Sequence, residues 1–166
     1  MELWSISADF VNLPRLHSPL LDAHRLCLTP FIHGDLEQLH SLWRDEDMRR
    51  FLWDNQSHPG RNRRGNPRNT LRNGPIRRPE DPIEGFVGFR PVEGGAELEL
   101  LYGIRREWWG KGIATAASQA ALEYLWRSTH FDRVRASTDL PNVRSREVMK
   151  RLGMRWLKET DALITY

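Results

Sequence analysis

Cysteine is nearly absent from this chain: Cys27 stands alone among 166 residues. With no partner for an intramolecular disulfide, a cystine-stapled secreted fold is excluded and a reducing compartment becomes the default. Long apolar runs are missing too, and none approaches the roughly 18 residues that a membrane-spanning helix requires. The opening Met1-Glu2-Leu3-Trp4-Ser5 lacks the basic stretch and apolar core of a secretory signal, so a cytoplasmic protein with no membrane partner is expected. The six His are scattered, with no pair four residues apart beside an acid, so no metal site is expected. The length suits one domain with a single sizeable core.

Acids and Lys are also absent from one long stretch. Asn55 to Pro79 holds seven Arg, five Asn, four Pro and three Gly, without one Asp, Glu or Lys. The whole chain carries 25 basic and 22 acidic residues, for a net charge of +3. Taking those seven Arg from the 25 leaves 18 basic residues against 22 acidic ones, so the rest of the chain is mildly acidic. Only Leu71 and Ile76 are sizeable and apolar in this stretch, too little buried surface to offset the entropy of ordering it. It is expected to be a loop over 55–79. Arg clusters neutralise phosphates, but an arm that stacks bases would interleave aromatics, and none is present, so a nucleic-acid partner is not expected.

The hydrophobic pattern supplies the elements. Residues 1–22, interrupted by Pro14 and Pro19, are expected to be an extension without a helix. A strand is expected around His24 to Thr29, a helix from Asp35 to Trp43, and a second short helix through Met48, Phe51 and Leu52. Phe86 to Phe89 and Ala96 to Ile104 follow as strands separated by the turn Glu93-Gly94-Gly95. In the second of these, Leu98, Leu100 and Tyr102 share one face, and Glu97, Glu99 and Leu101 the other. A helix from Ile113 to Ser128, a strand from Val134 to Thr138 and a helix from Asn142 to Leu152 come next. Gly153 sits at the left-handed cap position. Strands over Arg155 to Glu159 and Leu163 to Tyr166 complete a mixed α/β sheet. Trp43, Trp109, Trp126 and Trp156 fall on faces of these elements and are assigned to core packing.

Two clusters carry chemistry. Glu107-Trp108-Trp109-Gly110-Lys111-Gly112-Ile113-Ala114-Thr115 lies between a strand and an Ala-rich helix. Its glycines let the backbone approach a ligand, and the unpaired N–H groups at the helix start favour an anion such as a pyrophosphate. The spacing fits neither a P-loop nor the dinucleotide fingerprint. Downstream, Asn142-Val143-Arg144-Ser145 opens a helix, with Asn142 as N-cap and Ser145 one turn on.

Taken together with Glu99-Leu100-Leu101-Tyr102-Gly103, Ala136-Ser137-Thr138 and Leu152-Gly153-Met154, these clusters resemble the GNAT superfamily of N-acetyltransferases. The branch they are most similar to contains the ribosomal-protein N-terminal acetyltransferases. Arg25-Leu26-x-Leu28-x-Pro30-Phe31 and Asp35-Leu36 resemble the opening of that branch. The likeness implies an acetyltransferase domain over 23–166. It also implies a GNAT-like mixed, mostly antiparallel sheet flanked by helices, with two parallel strands, Ala96 to Ile104 and Val134 to Thr138, that splay apart after a bulge at an acetyl-CoA site. Acetyl-CoA would lie along Leu101, Tyr102, Gly103 and Ile104. Its pyrophosphate would be held by backbone N–H groups of Gly110, Lys111, Gly112, Ile113, Ala114 and Thr115, Trp109 is a further cofactor-binding candidate, and Asn142 would approach the pantetheine or the thiol end. Lys111, Arg144 and Arg146 are candidates for the 3′-phosphate.

The implied reaction is attack of a primary amine, on a protein N-terminus or a small molecule, on the thioester. The amine must lose a proton, the oxyanion needs a donor, and the thiolate needs an acid. Glu99, or failing it Glu97, is the candidate base, with solvated charges on an open edge strand as the alternative. A backbone N–H of Leu101 or Tyr102 is the candidate oxyanion donor, and Ser145 the candidate acid. The resemblance leaves a homodimer open. The chain departs from its relatives in three places. Met149 stands where many carry a Tyr acid, and Glu107 where others carry Gln or Arg. Between Phe51 and Ile83 the family's central strand is replaced by the Arg-rich stretch, as a frameshifted reading would do. The alternative function is therefore a non-catalytic or defective acetyltransferase fold serving as an RNA- or ribosome-associated module.

Overall fold

The computed structural model describes residues 15–16, 18–30, 32, 34–46, 48, 74–78, 81–92, 97–161 and 163–166. A five-residue helix, α1 (Pro19–Ala23), comes first. Pro19 starts this helix instead of preventing it. At the first helical position its missing N–H costs nothing, and the Ser18 hydroxyl accepts from the Leu21 N–H at 3.3 Å. Leu21 is fully buried and Leu16 bridges to Leu28, so part of the expected extension packs into the domain.

Strand β1 (Cys27–Leu28) leads to α2 (Asp35–Arg44), which buries Leu39 and Leu42. Of the expected second short helix, only Met48 is described, and it is buried and helical. Three more strands follow: β2 (Gly74–Arg77), β3 (Ile83–Pro91) and β4 (Leu98–Ile104). After them come α3 (Ile113–Ser128), β5 (Val134–Arg135), β6 (Ser137–Asp139), α4 (Val143–Arg151), β7 (Lys158–Glu159) and β8 (Leu163–Thr165). The strands form a five-stranded sheet in the order β1-β2-β3-β4-β5 and a three-stranded sheet in the order β6-β8-β7. Every pair is antiparallel except β4 with β5, which is the mixed, mostly antiparallel architecture expected.

Strand β2 overturns two expectations. It lies inside the stretch expected as a loop, and it occupies the place of the strand expected to be missing. Of that stretch, residues 55–73 and Pro79 lie outside the described residues, as does the turn Glu93-Gly94-Gly95. The strand forms because its neighbours supply what its composition lacks. Ile76 is fully buried, and the Arg77 guanidinium is paired with the carboxylate of Asp35, itself buried at the start of α2. Pro75 pairs with Phe86, and its carbonyl accepts from the Thr29 N–H at 3.1 Å. A Cβ on Gly74 would stand 1.8 Å from the Thr29 carbonyl oxygen, so only glycine permits this approach.

Two layers of core flank the large sheet. On one face, Ile113, Ala117, Ala121 and Leu125 of α3 pack with Leu98, Leu100 and Ile104 of β4. On the other, Leu39 and Leu42 of α2 pack with Met48, Ile83, Phe86 and Leu101. Strand β4 is interior to the sheet, so the Glu97–Glu99 face is not that of an edge strand. Trp126 and Trp156 are 45% and 62% exposed, contrary to their assignment to the core.

Candidate active site at the split in the sheet

Strands β4 and β5 run side by side only at Leu98 with Val134 and Glu99 with Arg135. Beyond that point the chain leaves β4: Ala136 exchanges both backbone hydrogen bonds with Tyr166, and Ser137 to Asp139 pair with β8. The expected splay is therefore present, with a different cause. No bulge interrupts β4 against β3, whose register is unbroken from Gly85 with Ile104 to Pro91 with Leu98. The neighbouring strand breaks at Ala136 and changes sheet, so the expected strand Val134 to Thr138 is two short ones.

The split opens a cavity of about 350 Å³ between β4, β6, α4 and the start of α3. Of the residues expected along acetyl-CoA, Leu101, Tyr102, Gly103, Ile104 and Asn142 line it, as do Trp109, Gly110, Gly112, Ile113, Ala114 and Thr115. Lys111 does not; its ammonium sits 4.6 Å from the centre of the Trp108 ring. Ser145 lines the cavity, whereas Glu97 and Glu99 do not. Arg144 lies at the cavity over the Trp109 ring, at 4.7 Å, while Arg146 reaches the Leu140 carbonyl.

Backbone direction separates the two candidate oxyanion donors. Successive residues of a strand present their N–H and C=O groups to alternate sides. The Arg105 N–H donates to Glu84 of β3 and the Val92 N–H to the Glu97 carbonyl, so Leu101, on the same alternation, faces Gly88 of β3. The Leu98 N–H donates to Arg133, and the Ile104 carbonyl accepts from the Trp109 indole at 2.8 Å. Tyr102 is on that side and past the end of the ladder with β5, so its N–H faces the split. Leu101 is thus corrected: its N–H is turned into the sheet, and Tyr102 is the donor of the two that faces the cavity.

At the far end, Gly110 and Gly112 both adopt φ of +75°, and Gly112 caps α3. The turn presents the N–H groups of Ile113, Ala114 and Thr115, which have no intrahelical acceptor. The buried Thr115 hydroxyl also has no protein partner. Buried polar groups are ordinarily hydrogen-bonded, so this end offers unmet donors of the kind that a pyrophosphate would accept from. At the start of α4, the Asn142 side chain accepts from the Ser145 N–H at 3.2 Å and donates to the Thr138 hydroxyl at 3.0 Å. It is a cap first, with one amide hydrogen left for the cavity.

Glu99 is buried, on the α2 face of β4, one residue before the strands part. Its carboxylate accepts from Arg90 Nε at 2.6 Å and also pairs with the terminal nitrogen of the same guanidinium. Glu97 lies two positions further from the split and pairs at 3.7 Å with the exposed Arg133. Met149, at the family's Tyr position, is a buried apolar wall of the cavity. Sequence reasoning missed the Tyr102 side chain. Its hydroxyl crosses the split to α4, 2.7 Å from Ser145 Oγ and 3.1 Å from the Ser145 carbonyl oxygen. No local pattern links residues 43 positions apart.

The family described as "Acetyltransferase (GNAT) domain" matches residues 25–155. The chain is 34% identical over 80 residues to the uncharacterized N-acetyltransferase YnaD of Bacillus subtilis (strain 168), covering 48% of this chain and 47% of that protein. It is 36% identical over 76 residues to the ribosomal protein uS5-alanine N-acetyltransferase of Escherichia coli (strain K12), covering 45% and 39%. The matched segment thus spans less than half the length of either curated relative. Among solved structures, the spermidine N-acetyltransferase from Vibrio cholerae, in complex with CoA and spermine, is similar with a TM-score of 0.64. That likeness covers 86% of this chain and 95% of the other at 15% identity, and it concerns the fold alone.

Proposed function

Since the chain belongs to the GNAT acetyltransferase family, we propose that it is an N-acetyltransferase carrying an acetyl group from acetyl-CoA to a primary amine. The observation that supports this most is the split itself. It is a channel with unpaired backbone groups of β4 at one end and, at the other, a glycine turn with free N–H groups and the orphaned Thr115 hydroxyl. A thioester activates its acyl carbon towards an amine, and bound acetyl-CoA would supply that group here.

The protein's own residues would do the rest. Ile113 to Thr115 hold the pyrophosphate, and Arg144, which lines the cavity, adds positive charge. The Tyr102 N–H stabilises the oxygen on which charge develops. Glu99, through a water, takes a proton from the incoming amine on the α2 face, and Ser145 hydrogen-bonds the departing sulfur. The donor and acceptor thus meet from opposite sides of β4. The relatives' names point to an alanine of a ribosomal protein in one case and to a polyamine in another; both are amines, and that class is what carries over. Strand β2 removes the argument for a defective member that rested on a missing strand. The lone, buried Cys27 suits a cytoplasmic setting.

Calorimetry with acetyl-CoA, followed by free-thiol release with a panel of amines and N-terminal peptides, tests this function. Gly112→Asp places a carboxylate at the pyrophosphate turn, at a φ that disfavours side chains, and should weaken acetyl-CoA binding at least about tenfold. No heat with acetyl-CoA in the wild-type protein would refute the reading.

A further inference from the structure

The Tyr102 phenol has one hydrogen and two acceptors within reach, the carbonyl oxygen and Oγ of Ser145. Two arrangements satisfy the pair. In the first, the phenol donates to the carbonyl and accepts from the serine hydroxyl, whose hydrogen is then taken up by the phenol. In the second, the phenol donates to Oγ, and the serine hydrogen is released towards the cavity that Ser145 lines. The two differ by rotation of two hydroxyls and by no movement of heavy atoms.

We propose that Tyr102 is a positioning residue for acyl transfer, switching its hydrogen from the Ser145 carbonyl to Oγ and so turning the serine hydrogen towards sulfur as negative charge gathers there. This rests on the function proposed above. The phenol is suited to the task because it stays protonated: burial pushes its pKa up to about 12, against an opposing effect from the Ser145 hydrogen bond. It therefore remains a donor across the range in which amines are acetylated. Polarisation along two hydroxyls in a low-dielectric channel strengthens the final bond. The step balances without another reagent. A C–N bond forms and the C–S bond breaks with its electron pair on sulfur. The ammonium nitrogen gives up two protons, of which one ends on sulfur and one in solvent, and neither hydroxyl undergoes a net change.

The decisive measurement is the pH titration of the thiol of bound CoA, followed by its ultraviolet thiolate absorbance, with CoA-free protein subtracted to remove Cys27. A free thiol of this kind titrates near pH 8.5, and the hydroxyl pair should lower that value in the complex. Ser145→Ala and Tyr102→Phe should each raise it again, by about one pH unit, a tenfold change. The double variant should titrate where Ser145→Ala alone does, because the phenol acts through the serine. Turnover should follow, with kcat of Tyr102→Phe falling about tenfold and KM for acetyl-CoA nearly unchanged. An unshifted titration in Tyr102→Phe would overturn the proposal, even with a lower melting temperature, since the phenol would then be only a tether between β4 and α4. So would an equal shift with and without Ser145. Failure of the wild-type protein to bind CoA would remove the function first and this step with it.

Discussion

Glu99 and Glu97 are alike in sequence and unlike in place. Glu99 is buried, held by Arg90 and adjacent to the point where β4 loses its neighbour, while Glu97 lies beside a solvent-exposed Arg133. If Glu99 is the base, Glu99→Gln should lower kcat about a hundredfold near neutral pH, and much less near pH 10, where free amine is already abundant. A uniform loss at every pH would move the role elsewhere, and Glu97→Gln should have little effect at any pH. Tyr102 makes a second prediction at this scale. Its folded pKa of about 12 exceeds an unfolded value near 10, so between those values the folded state keeps a proton that the unfolded chain has lost. The associated stability is fully present below pH 10. It declines as pH rises towards 12, by close to 3 kcal/mol. Urea midpoints of wild type and Tyr102→Phe, measured from pH 9 to 11.5, should show this decline in the wild type and its absence in the variant.

Among the elements, β2 separates composition from structure most sharply. Gly, Pro and Arg are poor strand residues, and nothing local in Gly74–Arg77 argues for pairing. The strand depends on β1 and β3 on either side, on the cavity that Ile76 fills and on the carboxylate at the start of α2. The Arg77–Asp35 pair is nearly dry, with side-chain exposures of 13% and 2%. Removing one partner leaves a buried charge, so Arg77→Ala should destabilise the protein by about 3 kcal/mol. The neighbouring Arg78–Asp81 pair is 42% and 43% exposed, and Arg78→Ala should cost less than about 1 kcal/mol. Chemical denaturation of the two variants compares a strand residue with a surface residue one position apart. Helices were more legible. The boundaries Ile113 and Ser128 of α3 follow from a glycine turn, an Ala-rich run with four-residue spacing of Ile113, Ala117, Ala121 and Leu125, and an exit at Thr129. Pro19 opens α1 because the same residue that breaks a helix interior is well suited to its first turn.

At the scale of the molecule, β5 closes the five-stranded sheet by a two-residue ladder to β4, and at Ala136 the chain turns into the three-stranded sheet, which faces β4 across the cavity. A ligand in the split touches both. CoA at a hundred times its dissociation constant should therefore stabilise the chain by about 2.7 kcal/mol, and amide exchange should slow on β4 and β6 together. Protection confined to the start of α3 would mean that only the phosphate end is engaged. The glycine turn, the capped Asn142 helix and the alternation of β4 are local properties, so the family, the positions of α3 and α4 and the glycine turn that opens α3 could be read from the amino-acid order alone. Three features depend on residues far apart in the chain: β2 as a strand, Tyr102 rather than Leu101 as the backbone donor to the split, and the phenol beside Ser145. Register, sheet order and burial decide these, because hydrogen-bond direction and charge pairing are set by neighbours that only the tertiary fold brings together.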